Sequence, residues 1–229
     1  MAYVVGALFA LLQGVIFWLL IAYLNSSGTE IPWSIAQIFF GGTFFFWLAL
    51  LLVPPLVTMR SFSEEKRTGT IELLLTAPVS DTQVVVAKFL GAWLSYLCLW
   101  GSTAGLFLIL RSFTPFDWGP VLTGYLIIAL IGAVFVAIGV LASSLTRNQV
   151  IAAVLGMVGV VLLFSIAFLD GLIREPDARR WVSYFSLVDH VREFSRGTLD
   201  SRPVVFYATV IIPCLFFTAR TIGSPRWRS

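Results

Sequence analysis

Charge is what this sequence has least of. Only 12% of its 229 residues are Asp, Glu, Lys or Arg, and just two are lysines, Lys66 and Lys88. Neither lies in a G-x-x-x-x-G-K-[ST] loop, so these residues build no P-loop and hydrolyse no ATP by that mechanism. Cysteine is as scarce. Cys98 and Cys214 both fall inside apolar runs, where packing is the default role and no disulfide framework is implied. The one histidine, His190, stands between Asp189 and Arg192 with no second His or Cys nearby, too little for a metal site and thin support for a pH switch.

The charge is also missing from particular places. Six runs, Tyr3–Leu24, Ile31–Met59, Phe89–Leu110, Trp118–Thr146, Asn148–Leu169 and Pro203–Ala219, contain no Asp, Glu, Lys, Arg or His. Ion-coupled transporters keep ionisable groups at membrane depth because such groups, though costly there, carry the coupling. Their absence argues against ion coupling. Intramembrane catalysis needs a nucleophile with its base, an acid pair or a metal cluster, and the runs offer none. The chain reads as a non-enzyme that needs no cofactor, and any energy has to reach it from another subunit.

What remains is apolar. With 59% hydrophobic residues and a mean hydropathy of +0.93, this is an integral membrane protein. Crossing the hydrocarbon core takes about 20 helical residues. Five runs exceed that and the last, 17 residues long, is counted as the sixth, which gives an all-α protein of six transmembrane helices in one transmembrane domain over 1–229. The first run lacks a basic leader and stays apolar for 22 residues, so it is read as a span and not as a signal peptide. Within the runs, Gln13 and Gly14 suggest close packing. Pro54-Pro55 is expected to kink or end the second span. The aromatic stretch Phe44 to Trp47 reads as core or lipid contact more readily than as a path lining. Gly124, Gly132 and Gly139, with Ala129, Ala133 and Ala137 between them, draw a small-residue stripe along the fourth span, and Gly156 and Gly159 repeat the theme in the fifth.

Polar residues gather in two segments. In the first, within 60–82, Ser63 followed by Glu64 and Glu65 reads as an N-cap and an acidic first turn, and Gly69 as the stop. Thr70 then caps a short helix, Ile71 to Thr76, made apolar by Ile71, Leu73, Leu74 and Leu75 and ended by Ala77-Pro78. Ser80 with Gln83 forms a capping box that launches the next long helix. Left in water, each of those large side chains would forgo about 1.5–3 kcal/mol. The helix must therefore fold back on its own protein, lie in the lipid interface or dock into a partner. In the second segment, 170–202, the arc formed by Trp181, Tyr184, Phe185 and Val188, then Ser186 with Asp189 and a closing Gly197, predicts two short amphipathic helices lying at the membrane face.

The run EEKRTGTIELLLTAPVSDTQVVVAKFLGA resembles the cytoplasmic loop of ABC-2 type transporter permeases, with their acidic-basic turn, Gly-Thr, a Glu and leucine run, a Pro-Val-Ser turn and a Lys-Phe helix start. AYVVGALFALLQGVIFW resembles that family's first span and FSLVDHVREFSRGTLDSR the segment before its last, so the likeness extends over nearly the whole chain and looks closest to gliding-motility permease subunits. The family carries an amphipathic stretch ahead of the first span, whereas in this sequence Met1 stands almost at the start of the first apolar run. The resemblance implies that Glu64, Glu65, Lys66, Arg67, Thr68, Gly69, Thr70, Ile71, Glu72, Leu73, Leu74 and Leu75 form the coupling helix and its approach, which sit in a cleft of a separate ATP-binding cassette subunit. It further implies a second permease copy, identical or related, a place in the bacterial inner membrane, an export function and an outer segment that covers the end of the path. Nucleic acid is not an expected partner.

With six spans both termini share a side. Placing them in the cytoplasm puts eight basic residues inside and seven outside, six of the seven in a segment that carries as many acids, so charge favours this orientation weakly. Two other classes remain open at this point: a membrane anchor or scaffold that acts through the same loop without transport, and a lipid-modifying enzyme that uses Asp189, His190 and Glu193.

Overall fold

The computed structural model describes residues 2–27, 35–71, 79–169 and 183–223. Among these residues there are ten helices and no strand: α1 Ala2–Ser27, α2 Ile35–Phe39, α3 Phe44–Thr58, α4 Ser63–Thr68, α5 Asp81–Gly101, α6 Ala104–Arg111, α7 Gly119–Leu145, α8 Gln149–Leu169, α9 Leu187–Phe194 and α10 Arg202–Ile222. Six stretches are long and apolar enough to cross a membrane, so the chain is an all-α, six-span protein.

The fourth span, α7, is the hub. In its membrane-crossing window 72% of residues are buried, against 17–33% in the other five spans, because α3, α5, α8, α9 and α10 all pack on it. The small-residue stripe makes this possible. A Cβ built on Gly124 would lie 2.4 Å from the Phe40 ring, one on Gly132 2.0 Å from Tyr96, and one on Gly139 2.0 Å from the Thr58 hydroxyl. Each glycine is a socket for a side chain from a different neighbour. The fifth span uses the same device, since Gly156 would bring a Cβ within 3.5 Å of the Gly139 Cα and Gly159 one within 2.7 Å of Ile138. Without a hydrophobic force between helices in lipid, such close approach is how spans adhere.

Several sequence expectations are corrected. The second apolar run is not one helix from Ile31 to Met59: α2 stops at Phe39, and the chain turns through Gly41, whose φ of 96° only glycine adopts without strain, before Thr43 caps α3 by accepting the Phe46 N–H at 3.3 Å. Pro54-Pro55 does not end α3. The helix runs on for a further turn to Thr58, whose hydroxyl donates to the Pro54 carbonyl at 2.8 Å. The third span starts where the predicted box launches it, at Asp81, eight residues ahead of the charge-free run that begins at Phe89; Ser80 accepts the Gln83 N–H at 3.3 Å and Gln83 accepts the Ser80 N–H at 3.0 Å. It breaks at Ser102-Thr103 before α6. The last span gains length at both ends and covers 21 residues.

At the end of the bundle opposite the 60–82 loop, the aromatics form a connected core: Phe17, Phe39, Phe40 and Phe107 meet at 5.0–5.6 Å between ring centroids, with Tyr125 5.2 Å from Phe40. Of the run Phe44 to Trp47, only Phe46 joins this core fully; Phe44 and Phe45 are exposed.

Helix α9 also departs from expectation. It is capped as predicted, Ser186 Oγ accepting the Asp189 N–H at 3.3 Å, but ends at Phe194, followed by a turn that closes on Gly197 with φ of 87°. Its apolar face lies against protein and not on a membrane surface: Leu187, Val191 and Phe194 are sealed, and Thr123 of α7 donates its hydroxyl to the Phe194 carbonyl. The first of the two amphipathic helices expected there, with Trp181, lies largely outside the described residues.

Candidate functional site

The loop between the second and third spans is tied to the bundle at its root. Ser63 is not the N-cap the sequence suggested; it is the first residue of α4, and its hydroxyl turns back to the Met59 carbonyl. The capping is done from another span. Ser143 Oγ, near the end of α7, accepts the backbone N–H groups of Phe62 and Ser63 at 3.0 and 3.1 Å and donates to the Met59 carbonyl at 3.2 Å. All of these groups are buried or nearly so, and an unmet buried N–H costs about 1–3 kcal/mol. Ser143→Ala is therefore expected to lower stability by about 1–3 kcal/mol, read as a drop in the apparent melting temperature of the purified protein. A Ser143→Thr variant should retain most of it.

Charged side chains extend the anchoring. Lys66, 6% exposed, donates to the Ser144 carbonyl of α7, its ammonium satisfied at the rim of the fourth span. Glu65 pairs with Lys88 of α5 through Oε1, while its second oxygen is buried and accepts no hydrogen bond among the described residues. Lys88 also donates to the Ser61 carbonyl at 2.8 Å and lies 5.2 Å from the centroid of the buried Phe62 ring. Thus α4 is fastened to the third span by one salt bridge and to the fourth by three hydrogen bonds from its first turn and its lysine.

The tip is different. Gly69 terminates α4 in the left-handed conformation, φ 76°, as its sequence position predicts. Arg67, Thr68, Gly69 and Thr70 are exposed, with Arg67 3.6 Å from Glu64 and the Thr68 and Thr70 hydroxyls 2.9 Å apart. Ile71 is 7% exposed, so the first apolar residue of the predicted short helix packs on this protein itself. Glu72, Leu73, Leu74 and Leu75 lie outside the described residues. Beside the tip is a polar notch of about 480 Å³ lined by Arg67, Thr146, Arg147, Asn148, Gln149 and Val150. Its wall is the start of α8, where Asn148 Oδ1 accepts the Val150 N–H at 2.8 Å.

Sequence reasoning found the loop but missed Ser143, Ser144 and the Glu65–Lys88 pair. A pair of serines closing an otherwise apolar span was the available signal for the first two. No local pattern joins residues 23 positions apart.

A family model described as ABC-2 family transporter protein matches residues 44–174, more than half of the chain and all of this loop. The chain belongs to the ABC-2 transporter family. No curated protein matches it in sequence. As an ABC-2 protein it is a multi-pass membrane component, a permease, of an ABC-type transporter, and the family's partnership with ATP-binding subunits gives the exposed tip of the loop a context.

Elsewhere in this ABC-2 permease, His190 turns away from any surface site. It is 4% exposed and its Nδ1 shares a 2.8 Å hydrogen bond with the Tyr207 hydroxyl of α10. Burial lowers its pKa below the ordinary histidine range, against the opposing pull of the Tyr184 backbone and the Asp189 and Asp200 carboxylates. Glu193 is exposed while His190 is buried and turned to Tyr207, so the histidine is not presented to the surface beside that carboxylate.

Proposed function

We propose that this chain is the permease subunit of an ATP-driven ABC-2 exporter, in which two copies, identical or paired with a related permease, form the translocation path. Two ATP-binding cassette subunits dock beneath them through Glu64 to Ala77, and ATP is hydrolysed there and not in this chain. Both termini and the 60–82 loop lie in the cytoplasm of a bacterial cell, the 170–202 segment outside it.

The observation that carries this reading is the mechanical contrast within the loop. Its root is bonded to two spans at once, through Glu65 to Lys88 and through Phe62, Ser63 and Lys66 to Ser143 and Ser144, whereas residues 67–70 are exposed. A push on the tip would be passed to the third and fourth spans together, and the fourth span is the hub on which the rest of the bundle packs. Rigid-body tilting of packed helices is a common way of exchanging inward- and outward-facing states.

A single cysteine at Thr70, with Cys98 and Cys214 replaced by Ser, tests the site. Co-expressed with its ATP-binding subunit, Thr70→Cys is expected to give a cross-link of summed mass with a short bifunctional reagent, and to be labelled by a membrane-impermeant maleimide only after the cytoplasmic face is opened. Labelling in intact cells would reverse the orientation, and absence of any cross-link in a copurifying complex would move the docking site elsewhere.

A further inference from the structure

At the end of the bundle opposite the loop, a cavity of about 660 Å³ opens between the end of α1, the Gly41 turn and α9. Ile38, Phe40, Trp47 and Val191 are among its apolar lining, and Arg192 and Arg196 are its charged residues, beside the polar Gln37, Ser195 and Tyr23. The sequence of α9 explains the division. Leu187, His190, Val191 and Phe194 are turned into the bundle, which leaves Arg192 exposed and Arg196 one turn beyond it, on the turn that follows the helix. Two guanidinium groups are thereby brought to the rim of one pocket. Arg192 has a neighbouring acid, its Nη1 standing 3.6 Å from Asp189 Oδ1 at an exposed position, and a planar guanidinium with five donors keeps others for a second acceptor.

The apolar wall is equally defined. Trp47 spends its only donor on the Gly41 carbonyl, Nε1 to oxygen 3.0 Å, and its ring is braced by Phe164 at 5.2 Å between centroids, so toward the cavity it offers carbon alone. The Gly41 backbone stands so close to Val191 that a Cβ there would lie 2.9 Å from that side chain, which fixes α9 against the turn. A paired guanidinium rim matches a phosphate geometrically and electrostatically. A carbon-faced wall matches the start of an acyl chain, and the volume falls within the range of small-molecule sites, about 300–1,000 Å³.

We propose that this cavity binds an anionic phosphodiester amphiphile, with the phosphate between Arg192 and Arg196 and the first chain carbons against Trp47, Ile38 and Val191. The inference does not depend on the docking role of the 60–82 loop. The ligand is either a lipid of the surrounding bilayer or a soluble phosphate ester, and the two sources are separable by experiment.

The full-length protein is reconstituted with phosphatidylglycerol or phosphatidylcholine brominated near the top of the acyl chain, and tryptophan quenching is followed as the mole fraction rises. Trp47→Phe isolates the contribution of Trp47 among the eight tryptophans. Stronger quenching of Trp47 by the phosphatidylglycerol is expected, with an apparent affinity that falls about tenfold in Arg192→Gln/Arg196→Gln and is partly restored in Arg192→Lys/Arg196→Lys. Millimolar inorganic phosphate should leave the quenching unchanged. Equal quenching by the two lipids, or an unaltered titration in the Gln pair, overturns the site. Displacement of the lipid by inorganic phosphate overturns the amphiphile and identifies a soluble-anion pocket instead. The comparison of headgroups on the unsubstituted protein decides the matter even if the Gln pair does not fold.

Discussion

Replacing Leu73 and Leu74 together by Asp is expected to uncouple the transporter: copurification with the ATP-binding subunit falls by roughly a hundredfold or more in affinity, and stimulated ATP turnover falls with it, while the permease still folds. On the coupling proposed above, each leucine docked in a partner cleft contributes about 1.5–3 kcal/mol, and two together set a factor of that size. Aspartate adds the desolvation of two carboxylates in place of that gain. The permease should survive because the root of the loop holds without these residues: Ser143 caps α4, Lys66 reaches Ser144 and Glu65 reaches Lys88. Binding measured by pull-down at graded subunit concentration, alongside the melting temperature of the permease alone, separates the two effects. If affinity and turnover stay intact, the leucine run is not the coupling element, and the notch at Arg67 and Arg147 becomes the surface to test.

Gly132→Val is expected to leave no monodisperse protein. The first added carbon would lie 2.0 Å from the Tyr96 ring, and that ring cannot simply withdraw, because Tyr96 is fully buried and its hydroxyl donates to the Ile128 carbonyl at 3.2 Å. Overpacking of a filled core typically costs about 1–3 kcal/mol, and valine brings two further methyl groups to a site with no room for one. Against a total stability on the order of 5–15 kcal/mol, the loss at the hub is severe. Gly91→Ala is the matched control: it sits inside α5 with nothing within 4 Å of the new carbon, so a gain of up to about 1 kcal/mol from helix propensity is expected. Gly132→Ala combined with Tyr96→Leu should recover part of the lost stability, as size-exclusion profiles and melting temperatures would show, since the shorter side chain vacates the space the Cβ needs. Failure of Gly132→Val to perturb the protein would mean that α7 is not packed as described.

Legibility in the sequence followed the range of the interaction. The Ser80–Gln83 box, the Gly69 stop, the Ser186 cap and the small-residue stripe are each written within a few positions of one another, and each appears as read. The 60–82 loop is conspicuous because polar residues between two long apolar runs have few places to go, and the family match covers that same stretch.

The errors share a cause. Ser63 looked like a cap because its neighbours are acidic, but the cap arrives from Ser143, 80 positions away. The second apolar run looked continuous because hydropathy does not register a glycine at φ 96°, and the break there lets Phe40 into the Gly124 socket. The apolar face of α9 promised a membrane surface until α7 supplied the covering.

The sequence by itself determined that this chain lives in a membrane as six helices, that the apolar runs carry no charge, and that a polar loop with a leucine run joins the second span to the third. Only the tertiary structure decided that the fourth span is the hub, that the loop is rooted on the third and fourth spans together, and that two arginines share a rim with Trp47. The reason is physical: hydrophobicity and capping are properties of short stretches of chain, whereas sockets, salt bridges and cavities exist only where distant stretches have been brought within a few ångströms of each other.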